Sequence, residues 1–322
     1  MPLHLEDKWV WDFWFAQDGA DTHIFYLQAD RSLKDEHLRH WHVSIGHAAS
    51  ADLRRWTILP DALRPSGGGA WDDSTTWTGS IIRYAGLWYL FYTGTSRAEN
   101  GLVQRIGLAT SNDLISWHKH SDNPLITADP TWYEQLDLNV WHDQAWRDPY
   151  VVQHPQTGEF HAFITARVKD GPADARGAIG HATSPDLIRW EVQPPLTAPG
   201  EFGHMEVPQV VSIEGRWYLL FACPYPMLAK ARQARMDRRE SGTYYLAADT
   251  MLGAYHPPDA VCLVGDEIGS LYSGKLIQDA AGAWQFMGFK DMVLGRGFVG
   301  DIDDPHPVRV LPDGRLEVDL SE

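Results

Sequence analysis

Cysteine is nearly missing from this chain. Cys223 and Cys262 are the only two in 322 residues. That permits one disulfide at most and excludes a disulfide framework. No Cys-x-x-Cys spacing occurs, so the usual structural zinc motifs are excluded and no metal is expected. No apolar run is long enough to span a bilayer. The first eight residues carry Glu6 and Asp7 and lack the apolar core of a signal peptide. The expectation is a cytoplasmic location, unless a leader has been removed. Basic residues are also short in number: 27 Lys and Arg face 43 Asp and Glu, a net charge of −16. Polyanions are repelled by such a surface, which argues against nucleic acid and anionic membranes as partners. The one glycine run, Gly67-Gly68-Gly69, lacks the Lys-Ser/Thr of a phosphate loop. No cofactor is expected.

Aromatics, by contrast, are abundant: 15 Trp, 12 Tyr and 11 Phe. Large aromatics favour strands, and flat ring faces also stack on sugars. Loop tryptophans Trp41, Trp71 and Trp141 are candidates for the second role.

An internal repeat organises the chain. Ile45-Gly46-His47-Ala48-Ala49-Ser50-Ala51-Asp52-Leu53-Arg54-Arg55-Trp56 recurs at 106–117 and at 179–190, with a degenerate copy at 245–255. Each copy reads as strand, Ser/Asp turn, strand, with at most one helical turn at Ser-x-Asp-Leu-x-x-Trp. An aromatic-rich strand precedes each copy, at 23–27, 87–92, 160–164 and 217–221, and a fifth lies at 283–289. Upstream of each is another strand candidate, at 9–15, 77–84, 147–153, 206–213 and 270–278. Five units of about four strands predict an all-β, five-bladed β-propeller over residues 1–322, as one domain. Residues 61–76, 122–146 and 223–243 are left as loops, with a short helix expected within the basic stretch 230–239. His47 and His181 fall in repeat strands and are expected to pack between blades.

In a propeller the first strand of each blade lines the central channel. Those strands offer Trp11-Asp12-Phe13, Trp77-Thr78-Gly79-Ser80, Trp146-Arg147-Asp148-Pro149, His204-Met205-Glu206-Val207-Pro208 and Tyr272-Ser273-Gly274-Lys275. Asp12, Asp148 and Glu206 thus take corresponding places in three blades. Two carboxylates flanking a glycosidic bond are what glycoside hydrolysis needs, one ionised and one protonated. Asp12 is the nucleophile candidate. Glu206 is the acid/base candidate, because apolar neighbours are expected to raise its pKa. Asp148, beside Arg147, is expected to stay ionised and bind sugar hydroxyls. His142 and Asp143 read as a solvated loop, and Asp301 to Asp304 as a solvated acidic turn.

These motifs resemble the clan of levansucrases, inulosucrases, invertases and inulinases. Trp11-Asp12-Phe13-Trp14 is similar to the levansucrase Trp-Asp-Ser-Trp, Trp77-Thr78-Gly79-Ser80 to Trp-Ser-Gly-Ser, Arg147-Asp148-Pro149 to Arg-Asp-Pro, and Glu206-Val207-Pro208 to Glu-x-Pro. His23 to Gln28 resembles the clan's following strand. Phe13 departs from the pattern, and the invertase Asn-Asp-Pro-Asn is absent. The resemblance implies catalytic Asp12, Asp148 and Glu206, with Trp11, Gln28, Trp77, Ser80 and Arg147 binding substrate. It implies a retaining glycoside hydrolase or fructosyltransferase on β-fructofuranosides, with a small carbohydrate as partner. Two alternatives stand beside it: an inverting arabinanase- or xylosidase-like propeller, and an inactive carbohydrate-binding propeller.

Overall fold

The computed structural model describes residues 2–321. The strands fall into five antiparallel sheets taken in chain order. Blade one is β1 (Lys8–Asp18), β2 (Asp21–Asp30), β3 (Ser44–Ser50) and β4 (Thr57–Leu63). Blade two is β5 (Thr75–Tyr84), β6 (Leu87–Thr95), β7 (Arg105–Ser111) and β8 (His118–Lys119). Blade three is β9 (Trp146–Gln153), β10 (Phe160–Arg167), β11 (Gly177–Ser184) and β12 (Glu191–Gln193). Blade four is β13 (Glu206–Ile213), β14 (Arg216–Cys223), β15 (Ser241–Ala248) and β16 (Val261–Asp266). Blade five is β17 (Leu271–Gln278), β18 (Trp284–Val293), β19 (Gly297–Ile302), β20 (His306–Val310) and β21 (Leu316–Val318). Here β18 pairs with both β19 and β20. The architecture is the expected all-β, five-bladed propeller.

The repeat explains the turns. Ser50, Ser111 and Ser184 end their strands. Asp52, Asp113 and Asp186 then accept hydrogen bonds from backbone N–H groups two and three residues on. Those donors hold the Asp113 and Asp186 carboxyls down at about 2. The next residue, Leu53, Leu114 or Leu187, has a positive φ of 59–69° and is buried. Its burial in the core offsets a conformation that a leucine rarely adopts. The indoles of Trp117 and Trp190 donate back to the Leu114 and Leu187 carbonyls. The turn closes on these side chains, so the single helical turn does not form.

The segment that precedes blade one bridges to blade five: Leu3 N–H donates to Ile302 O at 2.8 Å, and Ile302 N–H returns to Leu3 O at 3.1 Å. Of the basic stretch, only Lys230–Gln233 is helical. Cys223 and Cys262 are both free thiols. His47 and His181 are buried, and the partners they meet lie on the neighbouring strand of the same blade and not across a blade interface. Each meets a second imidazole, His23 at 2.8 Å and His161 at 2.9 Å. The acidic turn is salt-bridged: Asp301 meets Arg31, Asp303 meets Lys290, and Asp304 meets Arg54.

Candidate active site

The inner strands β1, β5, β9, β13 and β17 each break register once, at Asp12, Thr78, Asp148-Pro149, Val207-Pro208 and Ser273-Gly274. Asp12, Asp148, Val207 and Ser273 have φ values of 24°, 55°, 51° and 48°. Each such residue costs roughly 1–3 kcal/mol, and bulges of this kind re-aim side chains beside sites. The bulges also correct the expected alignment. Asp12 and Asp148 are equivalent, but the equivalent of both in blade four is Val207. Glu206 stands one residue earlier, level with Trp11, Trp77, Arg147 and Tyr272.

The displaced residues converge. Trp11, Asp12, Trp77, Arg147, Asp148 and Glu206 line one cavity of about 420 Å³. Trp41 and His142-Asp143 form part of its wall, so the loop holding His142 and Asp143 is a pocket wall and not merely solvated. Asp143 accepts from Gln104 at 2.8 Å and from Arg147 at 3.4 Å. A side lobe of about 230 Å³ shares Trp11, Asp12, His40 and Glu206 and adds Arg39, Tyr272 and Asp291.

Two expected binding residues are not brought there. Gln28 lies within blade one, donating to Ser44 at 3.1 Å and Asp61 at 2.7 Å. Ser80 is past the bulge, where its hydroxyl accepts from Val151 N–H at 2.9 Å and ties β5 to β9. It lines a different cavity of about 610 Å³, formed by the later residues of the inner strands. Of the three loop tryptophans, only Trp41 lines the site. Trp71 fills the space over Gly94 and Gly107, and Trp141 stacks on Arg167 at 3.6 Å. His40 and Gln104 gave no sequence signal, since neither falls in a repeat, and His204 was legible only as the start of the blade-four segment. Thr78 and Tyr272 were legible only as members of inner strands.

The charges are arranged by specific partners. Burial pushes Asp12 up to about 6. Glu206 adds to this, while a hydrogen bond from Thr78 Oγ1 at 2.8 Å and the charge of Lys275 oppose it. Burial pushes Asp148 up to about 7, against Arg147 and a bond from Thr165 Oγ1 at 2.9 Å. Glu206 goes the other way. Its burial would raise it, but His204, Arg147 and Tyr272 outweigh that and draw it down to about 2. His204 is itself pushed down to about 4 by burial. Near neutrality Arg147 at 2.8 Å and the Tyr272 hydroxyl at 2.9 Å therefore hold the Glu206 charge. This reverses the expectation for both acids. The Arg147 guanidinium turns its Nη2 to Glu206, and only its Nε approaches Asp148, at 3.5 Å.

Three acids at the mouth of a five-bladed propeller define a class of carbohydrate-active enzymes. The chain belongs to glycosyl hydrolases family 32, whose N-terminal domain matches residues 17–292. Asp148 and Glu206 lie within that match, and Asp12 lies just before it. An extracellular sucrase of Zymomonas mobilis is 26% identical over 98% of this chain and 82% of its own length. A kestose-bound inulosucrase from Halalkalicoccus jeotgali shares the fold with a TM-score of 0.76 at 21% identity, over 99% of this chain and 89% of the other. A levansucrase variant of B. subtilis superposes with a TM-score of 0.73 at 16% identity, over 98% and 87% of the two chains. The expected cytoplasmic location is overturned by the sucrase, a relative over nearly the whole chain that is extracellular.

Proposed function

We propose that the protein cleaves β-fructofuranosides by a retaining double displacement and passes the fructosyl group to water or to a second sugar. The observation that carries this reading is the placing of Asp12 and Glu206, from different blades, on one tryptophan-walled cavity. The Asp12 carboxylate attacks the anomeric carbon. The bond to the leaving oxygen breaks as Glu206 gives that oxygen its proton. Glu206 then takes a proton from water or a sugar hydroxyl, which displaces Asp12 and restores the enzyme. Asp148 accepts hydrogen bonds from fructosyl hydroxyls. Membership of family 32, and a relative that is a sucrase, support fructosides over arabinans and xylosides.

In the free protein the site's proton sits on the Asp12–Asp148 side, and Glu206 is ionised. The productive form holds the same proton on Glu206. The acids titrate as a group, so activity requires one proton in the site whichever oxygen carries it.

Sugar release from sucrose, inulin, levan, arabinan and xylosides tests the reading, with wild type and Asp12→Asn. The expected result is fructose from fructosides alone and a loss on the order of 10³-fold or more in the variant. Release from none of the fructosides, or activity surviving Asp12→Asn, overturns it.

A further inference from the structure

Lys275 is a buried lysine inside the channel, 3% exposed, and the mechanism above does not use it. Its Nζ donates to Val207 O at 2.6 Å and to Pro208 O at 3.1 Å. Those carbonyls belong to the β13 bulge that follows Glu206. The same bulge turns Val207 N–H to Asp148 Oδ2 at 3.2 Å. Next to it, Gln209 and Leu276 exchange two further hydrogen bonds, at 2.8 and 2.7 Å, between the same two inner strands. Lys275 also lines the cavity formed by the later halves of the inner strands, so it lies behind the site and not in the substrate cavity.

The charges around it are those of the site. Asp12 on β1 and Asp148 on β9 both face it and favour its charged form, against the burial that pulls it down to about 7. Tyr150, on the same cavity wall, is neutral, because burial pushes its hydroxyl up to about 12. Two other cations lie near the acids: Arg147 is committed to Glu206 and Asp143, and Arg39, on the side lobe, is charged chiefly against Asp291 and then against Asp12. Of the three, Lys275 is the cation that most lowers the Asp12 carboxyl.

Resting on the proposed roles of these acids, we propose that Lys275 is a positioning residue. From behind the site it fixes the bulge that sets Glu206 and the Asp148 partner Val207, and it supplies the positive charge that keeps Asp12 available as a nucleophile. A Lys without its charge can still fill space, and a glutamine can still donate a hydrogen bond. Only the charge acts at a distance on Asp12.

The test is a carboxyl-carbon NMR titration of the ligand-free full chain, with Asp12 and Asp148 assigned from Asp12→Asn and Asp148→Asn. Wild type is compared with Lys275→Met, Lys275→Gln and Lys275→Arg. We expect the Asp12 midpoint to rise by about one pH unit in the Met and Gln variants and to stay near wild type in the Arg variant. Unchanged midpoints in folded Lys275→Gln, the gentler variant, overturn the proposal. The measurement needs no substrate, so it stands apart from whether fructosides are cleaved. With a turned-over fructoside, kcat should fall about tenfold while KM changes less than about threefold. An equal loss in the Arg variant would also overturn it, since bulk and not charge would then matter.

Discussion

Arg147 of blade three reaches across to blade four, its Nη2 donating to Glu206 Oε1 at 2.8 Å. The two side chains hold each other. Arg147 fixes the direction of the acid, and Glu206 fixes the guanidinium against the pocket wall. Neither blade alone could orient its own residue in this way.

Removing one partner leaves the other buried and charged. Arg147→Met should therefore destabilise the fold by about 3 kcal/mol or more. It should also bring the Glu206 pKa up from about 2. Folded Glu206 lies below its unfolded value of 4.5, so its contribution to stability is present above pH 4.5 and is lost as pH falls toward 2. Urea unfolding at pH 7 and pH 3 checks both points. The gap between wild type and variant should be wide at pH 7 and narrow at pH 3.

Asp12 and Asp148 carry the opposite sign. Their folded pKa values, about 6 and about 7, stand above the ordinary 3.8. Their contribution is full below pH 3.8 and is lost as pH rises through 6 to 7. Asp12→Asn should therefore stabilise the fold at pH 8, by on the order of 1–3 kcal/mol, and do nothing at pH 3.5. Melting curves at the two pH values decide it. In the proposed mechanism the same proton governs turnover, so kcat/KM should decline as pH climbs past 6 to 7. A flat profile to pH 9 would contradict the one-proton requirement.

Thr78 is the polar support of Asp12, through Oγ1 to Oδ2 at 2.8 Å. Thr78→Val keeps the shape and deletes the bond. The Asp12 pKa should rise, and kcat/KM should fall about tenfold at pH 6 with little change in Tm. Its neighbour Gly79 has a different task. A Cβ there would overlap the Phe91 carbonyl of β6. Gly79→Ala should therefore lower Tm and expression, a packing effect that kinetics on the surviving folded fraction would separate from chemistry.

Much of this was legible from the chain because a propeller repeats its own solution. Ile-Gly-x-Ala-x-Ser-x-Asp-Leu recurs wherever a buried strand must end in an Asp-capped turn over a left-handed leucine. The inner strands then followed from spacing. The bulges were not legible. They depend on which inner-strand residue is squeezed out of pairing, and a one-residue slip moves Glu206 out of line with Asp12 and Asp148. Charge state was the other failure. Sequence adjacency suggested that Arg147 serves Asp148, while the fold gives it Glu206, 59 residues away. Ser80 lies two residues beyond Thr78, and the rise along the strand carries it out of the site cavity and into the one behind it.

The tryptophans offer the last separation, between a ring open to the proposed substrate and one that fills space. Trp41 is 44% exposed at the cavity wall, lying over Gly101 and 5.9 Å from the Trp77 ring. Trp71 is packed onto Gly94, Gly107 and Tyr92, so tightly that a Cβ on either glycine would collide with its ring. Under the proposed function Trp41→Ala removes a ring face open to bound sugar, so KM should rise about tenfold, with kcat nearly unchanged and Tm changed little. Trp71→Ala opens a cavity over the face of β6 and β7 and should cost about 3 kcal/mol, with KM unchanged in the protein that still folds. Steady-state kinetics and melting curves on the two variants give opposite signatures. If Trp41→Ala lowers Tm and leaves KM alone, its ring belongs to the scaffold and the sugar is bound without it.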